Sequence, residues 1–268
     1  MLRGASAEAL TELSTHVGRS STTLGDHATL GQELFGVAAI LRDDAALRRA
    51  LTDNSVEGES KAGLATAVFG SAVSDATAAV VADAATRRWT SSADLADVLE
   101  RLAVIATVLS AGANGTAVGD ELFAIRRMID ANPDLRGALS DQTRSPADRS
   151  GLLTGLLGDQ VQAATGTLVS QAVTRGRGTV DSALQEFLDV TAEALQERVA
   201  TVYTARELSS DELGRLSAAL SDQYDTTVQL HVVIDPSLIG GLRVEIADDV
   251  IDGTVASRLD DARRRIAG

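Results

Sequence analysis

The chain repeats itself, and this internal repeat limits the possible folds more than any other feature of the sequence. Residues 31–90 align with residues 119–178 at an offset of 88 positions without a gap, and 20 of the 60 pairs are identical. The identities are clustered; the tripeptide E-L-F at 33–35, for example, recurs at 121–123. A gap-free repeat of this length indicates a structural unit that has been duplicated.

Both copies are predicted to be helical. Only 3% of the 268 residues are aromatic, so the core must consist mainly of Ala, Leu, Val and Ile side chains, which allow helices to approach closely. Each copy shows four or five short helical segments, and in the second copy two of them begin at Pro133 and Pro146, where proline is compatible with the first helical turn. The apolar side of the helix that begins at Pro146 is predicted to consist of Leu152, Leu153, Leu156 and Leu157.

The C-terminal quarter of the chain shows β-strand patterns instead. Residues 228–234 are rich in β-branched side chains, and residues 242–246 alternate between apolar and polar side chains, as half-buried strands do. Residues 199–205 and the pair 250–251 predict two further strands. This region is therefore expected to form a small sheet.

Two helices complete the C-terminal region in the prediction. Ser209 and Glu212 have the spacing of a capping box, in which each side chain accepts a hydrogen bond from the backbone amide of the other residue, and Thr254 is placed to cap a final helix. The sequence thus predicts a mainly α protein, with a duplicated helical-bundle N-terminal region followed by a small α+β C-terminal domain. The predicted boundaries are 1–112 for the first copy, 113–200 for the second copy and 201–268 for the C-terminal domain.

Composition and motif content exclude several functional classes. The formal net charge of −14 disfavours binding to nucleic acid or directly to anionic lipid, because an acidic surface repels phosphate groups. There is no Cys, no G-x-x-x-x-G-K-[ST] phosphate loop and no G-x-S-x-G nucleophile motif. The histidines are scattered, and Asp248, Asp249 and Asp252 lack the spacing of a calcium loop. We therefore expect no catalytic residue, metal or cofactor, and the most apolar run, 102–109, is too short to span a bilayer.

Apolar helical stripes are the candidate partner-binding features. Residues 5–17 predict a first helix that ends near Gly18, and residues 180–195 predict a long amphipathic helix. Either a partner helix packs against these stripes, or the same side chains pack within their own domain. Three residues near the C-terminus are further candidates. The candidate residues are Leu10, Leu13, Val17, Leu184, Phe187, Leu188, Leu259, Arg263 and Ile266.

One C-terminal segment carries a family resemblance. Residues 234–259, IDPSLIGGLRVEIADDVIDGTVASRL, are similar to the C-terminal signature of the δ subunit of the rotary ATP synthase, called the oligomycin-sensitivity-conferring protein in mitochondria. The resemblance extends into the second copy through N-P-D-L-R at 132–136 and includes A-x-x-L-S-x-x-E-L at 205–213. Ala247 and Thr254 stand where the family often has Gly and Ser. The signature residues expected to shape turns and element ends are Asp235, Pro236, Leu238, Gly240, Gly241, Asp252 and Gly253.

The resemblance implies a non-catalytic stator subunit. In this family the helical domain binds the N-terminal helices of α subunits in the catalytic head, and the C-terminal domain binds the b subunits of the peripheral stalk. The implied location is the cytoplasmic face of the bacterial cell membrane, with membrane association only through the complex. Because a typical bacterial member has one helical unit, the sequence leaves open which copy binds the α subunits.

The duplication also motivates a hypothesis from a different class. A free-standing helical-repeat adaptor would bind unrelated partner helices or RNA. The net charge of −14 and the shortage of aromatic side chains disfavour RNA in particular, because RNA-binding surfaces rely on basic and aromatic residues. An enzyme is a third hypothesis, which no motif supports.

Overall fold

The computed structural model describes most of the chain. The chain forms two compact units, Met1–Thr191 and Ala192–Gly268. The division between them precedes the predicted boundary at 200/201, because the first strand of the C-terminal sheet begins at Glu197. The described residues are 2–20, 23–141, 143–158, 160–195, 197–224, 227–238, 240–246 and 249–252.

All regular secondary structure in the described part of the first unit is helical. The first six helices are α1 (Ala5–Ser20), α2 (Leu24–Asp43), α3 (Ala45–Thr52), α4 (Gly58–Phe69), α5 (Asp75–Thr86) and α6 (Ser92–Leu109). After a 3-10 turn at Gly112–Asn114 come α7 (Gly115–Ala131), α8 (Pro133–Ser140), α9 (Pro146–Leu157), α10 (Ala163–Thr174) and α11 (Val180–Ala194).

The helix bounds reproduce the sequence repeat. Helices α3, α4 and α5 have the same lengths as α8, α9 and α10, and the members of each pair start 88 residues apart. By the same offset, α2 corresponds to α7 together with the 3-10 turn before it, and α6 corresponds to α11. The duplicated helical unit predicted from the sequence is therefore present in the fold.

Helix α6 belongs to both copies. A shift of 88 residues places α1 within the bounds of α6, and the same shift places the start of α6 at the start of α11. Helix α6 packs against α1, α2, α3 and α5 of the first copy and against α7 and α10 of the second. Its buried residues include Leu95, Leu99 and Leu102. One helix thus closes the first bundle and opens the second.

Side-chain caps set several helix starts. Ser145 caps α9, as predicted, because its hydroxyl accepts a hydrogen bond from the Asp148 amide at 3.0 Å. In the first copy the Asp44 carboxylate caps α3 by accepting from two amides of its first turn, both at 2.9 Å. The predicted end of the first helix is wrong: α1 continues through Gly18 to Ser20. A single glycine costs a helix only about 1 kcal/mol relative to alanine and does not force it to end.

The second unit contains a mixed four-stranded sheet and one helix in its described part. In chain order the elements are β1 (Glu197–Thr204), α12 (Ser210–Tyr224), β2 (Thr227–Ile234), β3 (Leu242–Ile246) and β4 (Asp249–Asp252). The strand order is β2-β1-β3-β4. Strands β1 and β2 are parallel, as the crossover through α12 requires, whereas β3 is antiparallel to β1 and to β4. The predicted capping box forms at Ser209 and Glu212.

The core of the second unit lies where α12 packs against the sheet. Val228 is buried there, and Leu230 and Val232 on the same face of β2 pack against the core, whereas Ile234 at the end of that face is 45% exposed. The predicted fold class, mainly α with a small α+β C-terminal domain, is confirmed. The buried core residues of this unit are Ala200, Val202, Leu220, Val228, Val244 and Ile246.

Candidate partner-binding surface

The predicted partner-binding residues of the helical unit lie in or beside its core. The Phe187 ring on α11, for example, lies 6.1 Å from the Phe35 ring on α2, measured between centroids. This burial favours the alternative that the stripes pack within their own domain, and their contact with a partner helix stays a prediction. Leu13, Val17, Leu184, Phe187 and Leu188 are buried, and Leu10 is half-buried.

Family-signature residues form the turn between β2 and β3. The Asp235 carboxylate accepts hydrogen bonds from the Ser237 amide and hydroxyl at 2.9 and 2.6 Å, and these bonds lower the pKa of Asp235. Gly241 has a φ of 81°, a conformation that residues with a side chain rarely adopt. The turn also includes Pro236, Leu238 and Gly240.

The remaining predicted residues lie at the end of the chain. Asp252 is the last residue of β4. The predicted final helix, with its cap at Thr254, falls outside the described residues. So do four of the predicted residues, namely Gly253, Leu259, Arg263 and Ile266.

A half-buried carboxylate clamps the same helix start in both copies. Glu33 on α2 accepts hydrogen bonds at the start of α5, from the Ser74 amide at 3.0 Å and from the Ser74 and Thr77 hydroxyls at 2.6 Å. Burial acts to raise the pKa of Glu33, but the hydrogen bonds together outweigh it, and the pKa lies below its ordinary value. Glu121 on α7, 88 residues later, accepts from the cap-residue amide of α10 at 2.9 Å.

An ion cluster lies where the two copies meet. Glu100 on α6 is at its centre, with only 6% of its side chain exposed. Its oxygens lie 2.6 Å from Arg42 Nη2 of the first copy, 3.0 Å from Arg175 Nε and 2.7 Å from Arg177 Nη2 of the second copy. The contact to Arg175 Nε is an ion pair whose angle falls outside that of a regular hydrogen bond. The remaining members are Asp97 and Glu186, which give the cluster three acidic and three basic side chains.

The first copy contains the equivalent of this central pair. Glu12 on α1 and Arg87 after α5, which precede Glu100 and Arg175 by 88 residues, also form an ion pair. The Glu12 side chain is 60% exposed, however, so this pair is solvated. Helix α6 therefore occupies the place in the second copy that α1 occupies in the first. Of the two equivalent ion pairs, only the one between Glu100 and Arg175 is buried.

Each copy carries an exposed apolar pair at equivalent positions. Leu64 and Val68 on α4 are 37% and 41% exposed, and Leu152 and Leu156 on α9 are 39% and 53% exposed. The members of each pair are four residues apart, which places both side chains on one helix face. We name these surfaces the α4 face and the α9 face. Their recurrence makes them the clearest candidate for a binding surface on the helical unit.

A groove of about 410 Å³ adjoins the α9 face. In the first copy, Ile40 stands at the position of the groove residue Met128 and is 49% exposed, so the apolar surface also extends beyond α4. Apolar side chains beside a carboxylate suit an amphipathic helix that carries basic residues next to its apolar stripe. The residues that line the groove are Met128, Asn132, Pro133, Asp134, Leu135 and Leu156.

Sequence reasoning missed these faces. It placed four leucines on one apolar side of α9, but the structure fully buries only Leu153, half-buries Leu157 and exposes Leu152 and Leu156. The repeat carries a partial signal for them, because apolar residues recur at both exposed positions. A stripe alone does not say which of its members face a core.

Metal and membrane sites are not evident in the described part of the chain. No group of three or more His, Cys, Asp or Glu side chains there could hold a metal ion. No single helix among those residues is long and apolar enough to cross a membrane; only α6 and the segment Gly112–Ala131 together pass such a test, and they are bent by 108°.

The fold defines a class of protein, a duplicated helical unit followed by a small α+β domain. Residues 102–266, which include the second copy and the C-terminal unit, match the family model described as ATP synthase delta (OSCP) subunit. The chain belongs to the ATP synthase delta (OSCP) family. This membership confirms the resemblance inferred from the signature, and it does not favour a free-standing adaptor of helices or RNA.

Similar proteins match along the entire chain, so the first copy is part of the likeness. The protein named ATP synthase subunit delta from Nocardioides sp. is 46% identical over 268 residues, and the match covers 100% of this chain and 98% of that protein. The protein of the same name from Streptomyces coelicolor is 39% identical over 270 residues, and the match covers 99% of this chain and 98% of that protein. The protein of that name from Thermobifida fusca is 38% identical over 272 residues and is covered completely. One chain of a mitochondrial ATP synthase structure from Toxoplasma gondii matches 55% of this chain over 84% of its own length, at 17% identity and a TM-score of 0.35.

Proposed function

We propose that the protein is a non-catalytic peripheral-stalk subunit of a proton-translocating ATP synthase. In this role it links the catalytic head to the stalk, so that proton-driven rotation is coupled to ATP synthesis. The observation that carries the proposal is the end-to-end similarity to proteins named ATP synthase subunit delta. The location we propose is the cytoplasmic face of the bacterial cell membrane, reached through the other subunits of the complex.

The helical unit, in this proposal, binds N-terminal helices of the α subunits through the α4 and α9 faces. Each face offers two large apolar side chains in an i, i+4 arrangement, which matches the spacing of anchors on one side of an amphipathic helix. A stator must stay attached during rotation, so we expect a dissociation constant on the order of nanomolar, about −12 kcal/mol. The C-terminal domain, with Leu259, Arg263 and Ile266 as candidates, would bind the b subunits.

The binding test is calorimetric titration of the full chain with a peptide of the α-subunit N-terminal helix. Two double variants separate the copies: Leu64→Glu with Val68→Glu, and Leu152→Glu with Leu156→Glu. A charge buried without a partner at an apolar contact costs at least about 2 kcal/mol, so we expect each effective variant to weaken its site by roughly 30-fold or more. The variant that loses binding identifies the copy that the α subunit uses.

Matched controls place the same charge elsewhere on the same helices. Thr66→Glu and Thr154→Glu change exposed residues that lie away from the apolar pairs on α4 and α9, and we expect them to leave binding unchanged. If both double variants bind as tightly as the parent, the two faces are not the α-subunit site. Loss of binding in the controls as well would indicate a general effect of negative charge.

The coupling role is tested in the assembled enzyme. We expect ATP synthase reconstituted without this subunit to hydrolyse ATP but to lose ATP-driven proton pumping, with both activities coupled again when the subunit is added back. Proton pumping that is equally efficient without the chain would contradict the stator role. Saturable turnover of any substrate by the isolated chain would contradict its non-catalytic assignment.

A further inference from the structure

The third residue after the helices α5 and α10 differs between the two copies. In the first copy, Trp89 follows α5 and is only 4% exposed, and its ring N–H donates to the Ala84 carbonyl at 3.1 Å. The equivalent positions in the second copy, 88 residues later, are Arg177 and Ala172. The second copy therefore lacks the indole ring that is packed at this place in the first.

Arg177 does not take the place of the ring. Its guanidinium turns towards α6, where Nη2 lies 2.7 Å from Glu100 Oε2 and 3.2 Å from Asp97 Oδ1. The backbone allows this course because Gly176 and Gly178 have φ values of 71° and 66°, a region that favours glycine. The first copy has Arg88 and Thr90 at those positions, so its loop contains no glycine there.

An open groove lies at this place in the second copy, and we name it the α10 groove. Its volume is about 500 Å³, and residues of α8, α9 and the end of α10 line it. Arg149 in its lining is half-buried, whereas Lys61 at the equivalent position of the first copy is only 3% exposed. This difference fits the loss of a covering group. The apolar lining residues are Leu139, Pro146, Ala172, Val173 and Val180, and the basic ones are Arg144, Arg149 and Arg177.

We propose that the α10 groove binds an aromatic side chain, tryptophan in particular, from a neighbouring protein chain that carries a carboxylate close to the ring. The first copy favours an aromatic ring, because this chain's own indole, Trp89, is buried at the equivalent place there. A buried indole removes roughly 150–250 Å² of surface from water. Its N–H would reach the carbonyl of Ala172, which lies in the last turn of α10, where helix carbonyls need partners from outside the helix.

The basic lining of the groove favours a carboxylate beside the bound ring. Arg149 Nη1 donates to the Leu139 carbonyl at 3.2 Å, but its buried Nε has no hydrogen-bond partner within the described residues. The Arg144 side chain is 49% exposed and pairs with Asp141 at 3.5 Å, so it also borders the groove as a solvated cation. The inference rests on the proposed function in one respect only: the neighbouring chain is a subunit of the same complex.

The first test moves the loop of the first copy into the second. The substitutions Gly176→Arg, Arg177→Trp, Gly178→Thr and Thr179→Ser give residues 176–179 the sequence of residues 88–91. The parent has one tryptophan, Trp89, which is buried. If the groove fits an indole, both tryptophans of the variant are shielded from iodide quenching. An added tryptophan that iodide quenches freely overturns the proposal.

A second measurement uses N-acetyl-L-tryptophan as the probe in an NMR titration of the full chain. We expect its binding to shift the amide signals of Leu139, Ala172 and Val173, and N-acetyl-L-tryptophanamide to bind about threefold more weakly because it lacks the carboxylate. Arg144→Glu should remove that difference. Equal shifts with N-acetyl-L-leucine would overturn the aromatic preference.

Titration of the loop variant and of a control variant tests whether the probe binds in the α10 groove. We expect the transplanted loop to abolish binding of the probe, because its own indole fills the groove. The same loop with Arg177→Ala in place of Arg177→Trp also removes the ion pair to Glu100 but leaves the groove open, so it should still bind. Binding that survives equally in both variants overturns the site.

The third test places a photo-crosslinking amino acid at Ser140, an exposed residue on the rim of the groove, in assembled ATP synthase. We expect an adduct on another subunit at an aromatic residue next to Asp or Glu. If the subunit assembles normally and the adduct is absent or maps to a segment without an aromatic residue, the inference fails while the proposed function stands. A chain that does not assemble with ATP synthase at all contradicts the proposed function instead.

Discussion

Close packing of α2 against α6 depends on a missing side chain at Gly31. A Cβ there would lie 3.1 Å from the Ala103 carbonyl oxygen and closer still to the Thr107 hydroxyl. We expect Gly31→Ala to lower the free energy of unfolding by about 1–3 kcal/mol, the usual cost of overpacking. Gly36 on the same helix is the control: an added Cβ meets nothing within 4 Å, so Gly36→Ala should raise it by up to about 1 kcal/mol. Urea unfolding measures both, and a stabilising Gly31→Ala would contradict the packing described.

Glu33 makes stability depend on pH. Its pKa in the folded protein lies below the ordinary value of 4.5, because hydrogen bonds from Ser74 and Thr77 outweigh the effect of burial. The folded state therefore binds this proton less tightly than the unfolded chain does. Its stabilising contribution is complete above the ordinary pKa and is lost as the pH falls through the lowered one.

The substitution Glu33→Gln tests this contribution. We expect it to lower the free energy of unfolding at pH 7 by about 1–3 kcal/mol, because the clamp on α5 loses its charged acceptor. The variant should also lose less stability than the parent as the pH falls below 4.5 and through the lowered pKa of the parent's carboxylate. Urea unfolding at a series of pH values measures both effects, and an unchanged acid sensitivity would show that Glu33 does not contribute to it.

Among the elements, α6 carries Glu100, the carboxylate at the centre of the buried ion cluster. Glu100→Gln leaves Arg175, whose side chain is 5% exposed, without the buried carboxylate that lies 3.0 Å from its Nε. Only the more exposed Glu186 still pairs with it. Breaking a buried ion pair typically costs about 3–5 kcal/mol, and we expect a loss of that size. Glu12→Gln breaks the equivalent but solvated pair in the first copy and should cost less than about 1 kcal/mol. Chemical unfolding of the two variants compares them directly; equal losses would mean that burial does not separate the pairs.

The elements also show how far the sequence predicts this fold. Strand alternation, the cap at Ser145 and the 88-residue repeat suffice to place most helices and strands, because each depends on local chemistry. The shared use of α6 was not predictable from the same patterns. The gap-free identities lie in 31–90 and 119–178, and these ranges contain no residue of α1, α6 or α11.

The candidate surface was harder to predict than the elements that carry it. Leu13 and Leu156 both belong to apolar helical stripes, yet the first is fully buried and the second is 53% exposed. A stripe records that a helix face avoids water, but it does not identify the surface that covers the face. That information comes from the packing of helices distant in sequence, which only the structure supplies.

At the scale of the whole molecule, sharing of α6 ties the two copies of the helical unit together. The Glu100 cluster joins side chains of α2, α6 and α11 with the segment after α10, so the copies are linked by charges as well as by a common helix. The division of the helical part at 112/113 stays a prediction about sequence copies. As a division between folding units, it would leave α6 with the first copy and deprive the second copy of its opening helix.

Separate expression of the two predicted segments tests this asymmetry. We expect residues 1–112, which contain α1–α6, to show helical circular dichroism and one cooperative thermal transition. Residues 113–200 lack Leu95, Leu99 and Leu102, which are at most 1% exposed in the intact chain, so this fragment should lose much of its helix and melt without a sharp transition. Extending it to 92–200 restores α6 and should restore cooperative unfolding. If 113–200 alone folds as cooperatively as 1–112, then α6 is not an integral part of the second copy, and the two copies are independent domains joined by their sequence only.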